Sequence, residues 1–191
     1  KFNESTAILA GNSLLTIAFE ILSSKKINLS EKTKTNLIQS LSRCVGHTGL
    51  AGGQFFDLLF ENKKISKKKI INMQKKKTGE LFGFCCESIS IIKKHDSKKR
   101  KSLKKLGLNI GLLFQVADDL IDFKGESKIA GKRTKKDKNK GKATLVNLMG
   151  HYEALVFAEK LKEKIDNDIK KYGRNANDLL RSVEFILKRK F

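Results

Sequence analysis

Four side chains in the segment Leu112-Leu113-Phe114-Gln115-Val116-Ala117-Asp118-Asp119-Leu120-Ile121-Asp122 have the types and spacing to do chemistry. On a helix, Gln115, Asp118, Asp119 and Asp122 fall at i, i+3, i+4 and i+7, one above another on a single face. Carboxylates crowded on one stripe repel each other, and more strongly as water is excluded. Their flanks are Leu, Ile, Phe and Val, so the charge needs compensation, and a divalent cation supplies it. Oxygen-only donors favour Mg²⁺ or Ca²⁺ over zinc, and the segment lacks the glycine-containing loop of an EF-hand. Mg²⁺ shared with a phosphate-bearing substrate is the reading these residues favour. The plain alternative is a solvated acidic face on a surface helix.

Two basic elements complement the acids. Downstream, Gly131-Lys132 and Gly141-Lys142 followed by Thr144 lie in a lysine-rich stretch, where glycines let backbone N–H groups and an ammonium approach one anion. The stretch is not a Walker loop: Arg133 stands where a Ser or Thr is required, and no strand precedes it. Upstream, Lys77-Thr78-Gly79 lies inside a helical pattern. A glycine there invites a kink, which would turn the Lys77 ammonium, the Thr78 hydroxyl and a backbone carbonyl inward. Carboxylates for a metal facing lysines for an anion are what a diphosphate needs: ammonium groups neutralise the charge that grows on a leaving group. His47, His95 and His151 are scattered and have no evident nucleophile beside them, which argues against triad chemistry.

Composition bounds the rest. The chain has 191 residues, 39% of them hydrophobic, which suits one domain over residues 1–191. The net charge of +21 points to anionic partners, yet the basic residues are 35 Lys and only 6 Arg. With no Trp and no recognised module, a nucleic-acid partner is not expected. No run approaches the roughly 18 consecutive apolar residues of a membrane helix, so stable membrane insertion is not expected either. Cys44, Cys85 and Cys86 lack zinc spacing and are expected to be reduced, in keeping with a cytoplasmic protein. The chain begins at Lys1 and enters an apolar segment within six residues, as expected of part of a longer polypeptide.

Proline is absent and apolar residues recur three and four apart, so the elements that must position these groups are all helical. The pattern predicts helices over Ala7 to Leu22, Glu31 to Gly46, Ser66 to about Lys93, Ser97 to Asp122, Ala143 to Arg174 and Asn177 to Lys190, while Gly46, Gly49, Gly52 and Gly53 precede Gln54 to Phe60 as a small-residue surface that lets another helix or a ligand come close. A basic loop is expected over Lys124 to Lys142. Ala7 to Leu22 is apolar almost all round and should be covered on several sides. Leu103, Leu106, Ile110, Leu113, Ala117 and Leu120 form the expected core stripe of the acidic helix.

These blocks, in this order, resemble the trans-type polyprenyl diphosphate synthases, most of all the bacterial farnesyl and geranylgeranyl types. Phe114-Gln115-x-x-Asp118-Asp119-x-x-Asp122 is similar to their second aspartate-rich motif. Lys77-Thr78-Gly79, the two Gly-Lys pairs, Gly53-Gln54-Phe55-Phe56-Asp57 and Ala7-Ile8-Leu9-Ala10-Gly11-Asn12 match further blocks. The resemblance implies an all-α isoprenoid-synthase bundle around a central apolar cavity, usually a homodimer. Its activity would be the Mg²⁺-dependent condensation of an allylic diphosphate with isopentenyl diphosphate. By position, Asp118, Asp119 and Asp122 would hold Mg²⁺, and Lys77, Lys132 and Lys142 the allylic diphosphate. Gln115 and Thr78 would line the cation site, with Gln54 and Asp57 near the cavity wall. The family's first aspartate-rich motif and arginine pair lie upstream of the block that Ala7 begins, in residues this sequence does not contain. That implies a protein longer at its N-terminus, or a non-catalytic subunit that pairs with an intact synthase.

Overall fold

The computed structural model describes residues 2–129 and 141–189. It consists of α-helices and no strand among them: α1 (Glu4–Ser23), α2 (Glu31–Val45), α3 (Leu50–Leu59), α4 (Lys67–Gln74), α5 (Glu80–Ile92), α6 (Ser97–Ile129), α7 (Leu145–Met149), α8 (His151–Lys170) and α9 (Asn177–Lys188). A π-helical turn, Lys75–Gly79, joins α4 to α5, and a 3₁₀ turn, Arg174–Ala176, precedes α9. Helix starts follow local chemistry. The Asn3 side chain accepts from the Thr6 N–H at 2.8 Å to begin α1, and Ser30 accepts from the Thr33 N–H at the start of α2.

Helix α6 is the centre of the bundle, with α5 and the π-turn along one side and α7, α8 and α9 along the other. Its stripe of Leu103, Leu106, Ile110, Leu113, Ala117 and Leu120 is buried as the spacing predicts. From Leu106 onward it forms one continuous apolar core with Ile70, Leu145, Ile165, Ile169 and Val183.

The long pattern from Ser66 is interrupted where Gly79 announces a kink. The winding of the π-turn has a geometric effect: positions five apart in an α-helix point about 140° apart, whereas an i→i+5 turn stacks them. Gln74 and Gly79 are five apart and both buried against α6. A Cβ on Gly79 would stand 3.0 Å from the Leu108 carbonyl oxygen, and the Gln74 amide reaches Asp119. The turn thus presents a hydrogen-bonding amide and a backbone surface to the same neighbour.

Several expectations are corrected. Helix α6 runs on to Ile129, about two turns into the stretch expected to be a loop from Lys124, because extending a formed helix costs far less than nucleating one. Residues 130–140, with Lys132, lie outside the described residues. Ala143 to Arg174 is not one helix: Gly150 sits at φ 86°, a conformation glycine adopts freely, and separates α7 from α8. Part of the small-residue surface before Gln54 is itself helical, since α3 spans Leu50–Leu59 and includes Gly52 and Gly53.

Helix α1 departs most. Among the described residues it packs chiefly along α2, none of its residues is buried, and Ile8, Leu9, Leu14 and Ile21 are all more than half exposed. Although it contains no unbroken apolar run of membrane length, its size and composition are those of a helix able to cross a membrane.

The close seat of α3 on the π-turn depends on Gly53, where a Cβ would come within 2.2 Å of the Lys77 backbone nitrogen. Backbone cannot rotate away as a side chain can, so Gly53→Ala should push α3 off the turn. The expected loss is about 1–3 kcal/mol in urea unfolding, the usual range for overpacking. Gly11→Ala, with nothing within 4 Å of its Cβ, should instead gain up to about 1 kcal/mol from helix propensity.

Candidate functional site

Three segments meet around the acidic face of α6. The π-turn supplies Lys77 and Thr78, the end of α4 supplies Gln74, and α6 supplies Gln115, Asp118, Asp119 and Asp122. The Thr78 hydroxyl donates to Gln115 Oε1 at 2.8 Å. With its oxygen taken, the Gln115 amide turns its NH₂ toward Asp119 and donates to Oδ1 at 3.0 Å. Gln74 Nε2 donates to the other oxygen, Oδ2, at 2.8 Å. The Asp119 carboxylate is therefore gripped on both sides by neutral amides, one of them aimed by a threonine on the kink. Burial nevertheless dominates and pushes the Asp119 carboxyl up to about 6, against the two amides and with help from the charges of Asp122 and Asp118.

The flanking acids differ. Asp118 Oδ1 accepts from Arg189 Nη2 at 2.6 Å, and the guanidinium, itself almost fully buried, stacks on the Phe114 ring with its carbon 4.1 Å from the centroid. Desolvation holds the Asp118 carboxyl above its ordinary value, opposed by Arg189. Asp122 is exposed. It shares with Asp119, Lys142, Thr144 and Asn147 a cleft of about 40 Å³, room for an ion or a water or two. Lys77 Nζ pairs with Asp57 Oδ2 of α3 at 2.5 Å.

The structure brings Thr78, Gln115 and Asp119 into one hydrogen-bonded network and sets Lys142 across the cleft from Asp122. It does not bring the three aspartates together as one ligand cluster: among the described residues no three His, Cys, Asp or Glu stand close enough to enclose a metal ion. Adjacent residues on a helix diverge by about 100°, so Asp118 faces Arg189 while Asp119 faces Gln74. Such a donor set still fits Mg²⁺, which binds through one or two carboxylates and completes its shell with water and substrate phosphate oxygens. The raised Asp119 carboxyl is a buried charge that a cation would offset.

Gln74 is the residue that sequence reasoning missed. It is only 2% exposed, yet it sits in a lysine-rich run where a glutamine reads as surface. Its Oε1 is buried and has no partner. The i, i+4 spacing to Thr78 was the one available signal.

An aspartate whose folded value is raised makes the native state bind more protons than the unfolded chain between pH about 4 and 6. Stability from this group is therefore present below that window and lost as pH rises through it. Asp119→Asn removes the loss, and the free Gln74 oxygen can turn to accept from the new amide. Without divalent cations the variant should be more stable at pH 7.5 by on the order of 1–3 kcal/mol, the difference fading near pH 4. Parallel urea titrations check this; equal pH dependence in both proteins would contradict it.

A model of the polyprenyl synthetase family matches residues 1–181. Farnesyl diphosphate synthase of Haemophilus influenzae is 36% identical over 192 residues, which cover 100% of this chain and 64% of that protein. Farnesyl diphosphate synthase of Micrococcus luteus is 36% identical over 150 residues, 78% of this chain and 51% of that one. Among solved structures, an FPP/GFPP synthase from Zymomonas mobilis superposes with a TM-score of 0.78 at 34% identity, covering 97% of this chain and 62% of that one. A geranyltransferase of Helicobacter pylori complexed with magnesium and isoprenyl diphosphate gives a TM-score of 0.77 at 31% identity, covering 98% and 61%. The chain thus spans between half and two thirds of the length of the relatives it matches. A match of this extent, on an all-α fold with the acidic face of α6 and the Lys77-Thr78-Gly79 turn in place, leaves one assignment: the chain belongs to the polyprenyl synthetase family.

Proposed function

We propose that this chain carries the diphosphate-handling part of a Mg²⁺-dependent prenyltransferase that joins an allylic diphosphate to isopentenyl diphosphate, making a short-chain trans-prenyl diphosphate. The observation that carries the reading is the network Thr78–Gln115–Asp119–Gln74, which ties a hydroxyl of the π-turn and an amide of α4 to the amide and carboxylate on the acidic face of α6. The farnesyl diphosphate synthases among its relatives support it.

Mg²⁺, which Asp119 and Asp122 would hold together with substrate oxygens, joined by Asp118 once it releases Arg189, would supply neutralisation of the departing diphosphate. The protein's own groups do the rest. Lys77 and Lys142, joined by Lys132, bind diphosphate oxygens, Lys77 exchanging its Asp57 partner for the ligand. As the allylic C–O bond breaks, the electron pair leaves with diphosphate and positive charge grows on the allyl group. The oxygens of Thr78 and Gln115 are the dipoles that face it. The double bond of isopentenyl diphosphate then attacks, and a proton leaves to restore an alkene. Gln54 and Asp57 belong to the wall beside this site.

The whole cycle is a property of the complete protein. Self-association belongs to the same reading, a second copy covering apolar α1, as does a cytoplasmic location, which suits the free thiols of Cys44, Cys85 and Cys86. A second reading, a non-catalytic subunit beside an intact synthase, is favoured by one observation: Asp118 and Lys77 are already paired within the chain.

In the complete protein Asp118→Ala should lower Mg²⁺-dependent condensation by about 10²–10³-fold or more, the usual effect of removing one electrostatic stabiliser, while the helical circular dichroism is unchanged. Turnover at the wild-type rate would sink the catalytic reading. An inactive wild type that regains activity only beside a second synthase would establish the subunit reading.

A further inference from the structure

We propose that the cavity between the start of α2, the end of α5 and the start of α6 is a binding site for a small phosphate-bearing anion, separate from the acidic face. Arg100 and Asp118 lie eighteen positions apart on α6, roughly 27 Å along its axis. The two sites occupy different ends of the same helix, and this inference does not depend on the reaction proposed above.

The cavity has a volume of about 450 Å³, and every charged group in its lining is basic: Lys32, Lys94 and Arg100, with His95 beside them. Glu31 and Asp96 adjoin lining residues in the sequence but are engaged elsewhere, by Lys34 Nζ at 3.2 Å and by the Lys99 N–H at 2.7 Å, and Glu87 pairs with Arg100. The Glu87 carboxylate takes the guanidinium Nε at 2.7 Å and also accepts from the Ser40 hydroxyl at 2.7 Å. Among the described residues nothing uses the two Nη groups of Arg100.

The floor is polar and incompletely satisfied. Ser90 is only 1% exposed and lines the cavity, and its hydroxyl has no hydrogen-bond partner. Leaving a buried hydroxyl unmet is costly, so such a group in a cavity wall points to a ligand that meets it. The first turn of α2 forms the opposite wall; the positive end of this 15-residue helix favours an anion, with the Thr33 N–H already taken by Ser30 and the Glu31 carboxylate standing in the same turn. The end of α5 would oppose it, but the carbonyls there are already occupied. Lys93, Lys94 and His95 N–H groups donate to Ile89, Ile91 and Ser90 oxygens at 2.9, 3.1 and 3.0 Å.

Lys94 itself is out of place. It sits at φ 53°, one of two non-glycine residues with positive φ among those described. A helix-ending position of this kind ordinarily takes glycine. The turn gains nothing from a lysine there, whereas the cavity gains an ammonium. With Asn36 and Ile91 completing the lining, there is room for a phosphate and a small organic body.

The fold and the binding can be separated, because Lys94→Gly suits the backbone and Ser90→Ala removes a hydroxyl that nothing in the chain satisfies. Both variants of the complete protein should keep or raise the melting temperature. Inorganic phosphate and glycerol 3-phosphate, titrated by calorimetry with EDTA present, are the probes. Each variant should bind them at least about tenfold more weakly than wild type, while Lys77→Ala on the acidic face binds them unchanged. Tighter binding of the ester marks a phosphorylated metabolite as the natural source, and equal binding marks free phosphate. No saturable binding of either probe, or binding that Lys77→Ala abolishes and Lys94→Gly leaves intact, would overturn the proposal.

Discussion

The arrangement around α6 depends on keeping one carboxylate, Asp119, in a place that burial makes hostile to its charge. Burial is the largest influence on the group and pushes its carboxyl up. Two amides and two neighbouring carboxylates pull in opposite directions, and the result lies near pH 6. This balance fixes what surrounds it. The Gln115 amide must present NH₂, so its oxygen must be occupied, and Thr78 occupies it. Gln74 must reach the same carboxylate from α4 while the chain continues into close contact with α6. A regular helix cannot turn residues five apart toward one neighbour, and the π-turn can. The π-turn is thus the device that brings an amide and a hydroxyl to one acidic face, while the Lys77 ammonium on the same turn pairs with Asp57 of α3.

Much of this was legible in the sequence, for reasons that differ from residue to residue. The core stripe of α6 could be read because burial on one face repeats every three or four positions. The Lys77-Thr78-Gly79 kink could be read because a glycine inside a helix needs a reason. Gln74 could not, since its partner lies 45 positions away and no local pattern distinguishes a buried glutamine from a solvated one. The Asp118–Arg189 pair is 71 positions apart and was equally hidden. The continuation of α6 past Lys124 was misread because composition signals a loop, whereas a formed helix extends cheaply. The uncovered state of α1 was beyond pattern reading: its apolar residues say that something covers them without saying what does.

The charge of the chain is also more informative in its arrangement than in its size. Most of the lysines are exposed. Two of the six arginines are placed with more care: Arg189 lies flat on Phe114 and holds Asp118, and Arg100 holds Glu87. A planar guanidinium can stack, bond and remain charged when desolvated, which an ammonium does poorly. Lysine also holds partly buried acids, Lys104 with Glu80 and Glu87 and Lys77 with Asp57, but as a point charge and not as a planar fork.

Such pairing bears on how the acidic face would meet a diphosphate. Lys77 is paired with Asp57 and Asp118 with Arg189, so each pair is close to neutral and needs little reorganisation in the absence of ligand. Beside them stand Asp119 and Asp122, with Lys142 across the cleft. Among the described residues a multiply charged anion meets no net positive charge there, and on the electrostatics of these groups alone the face would repel it. Counting a divalent cation reverses the sign. Exchanging one ionic partner for another then costs much less than stripping water from a lone charge. On the proposed reading, the acids and the lysines serve a diphosphate only jointly with a cation. Binding of the anion and of the cation should then be mutually dependent, a coupling that follows from the local charge balance.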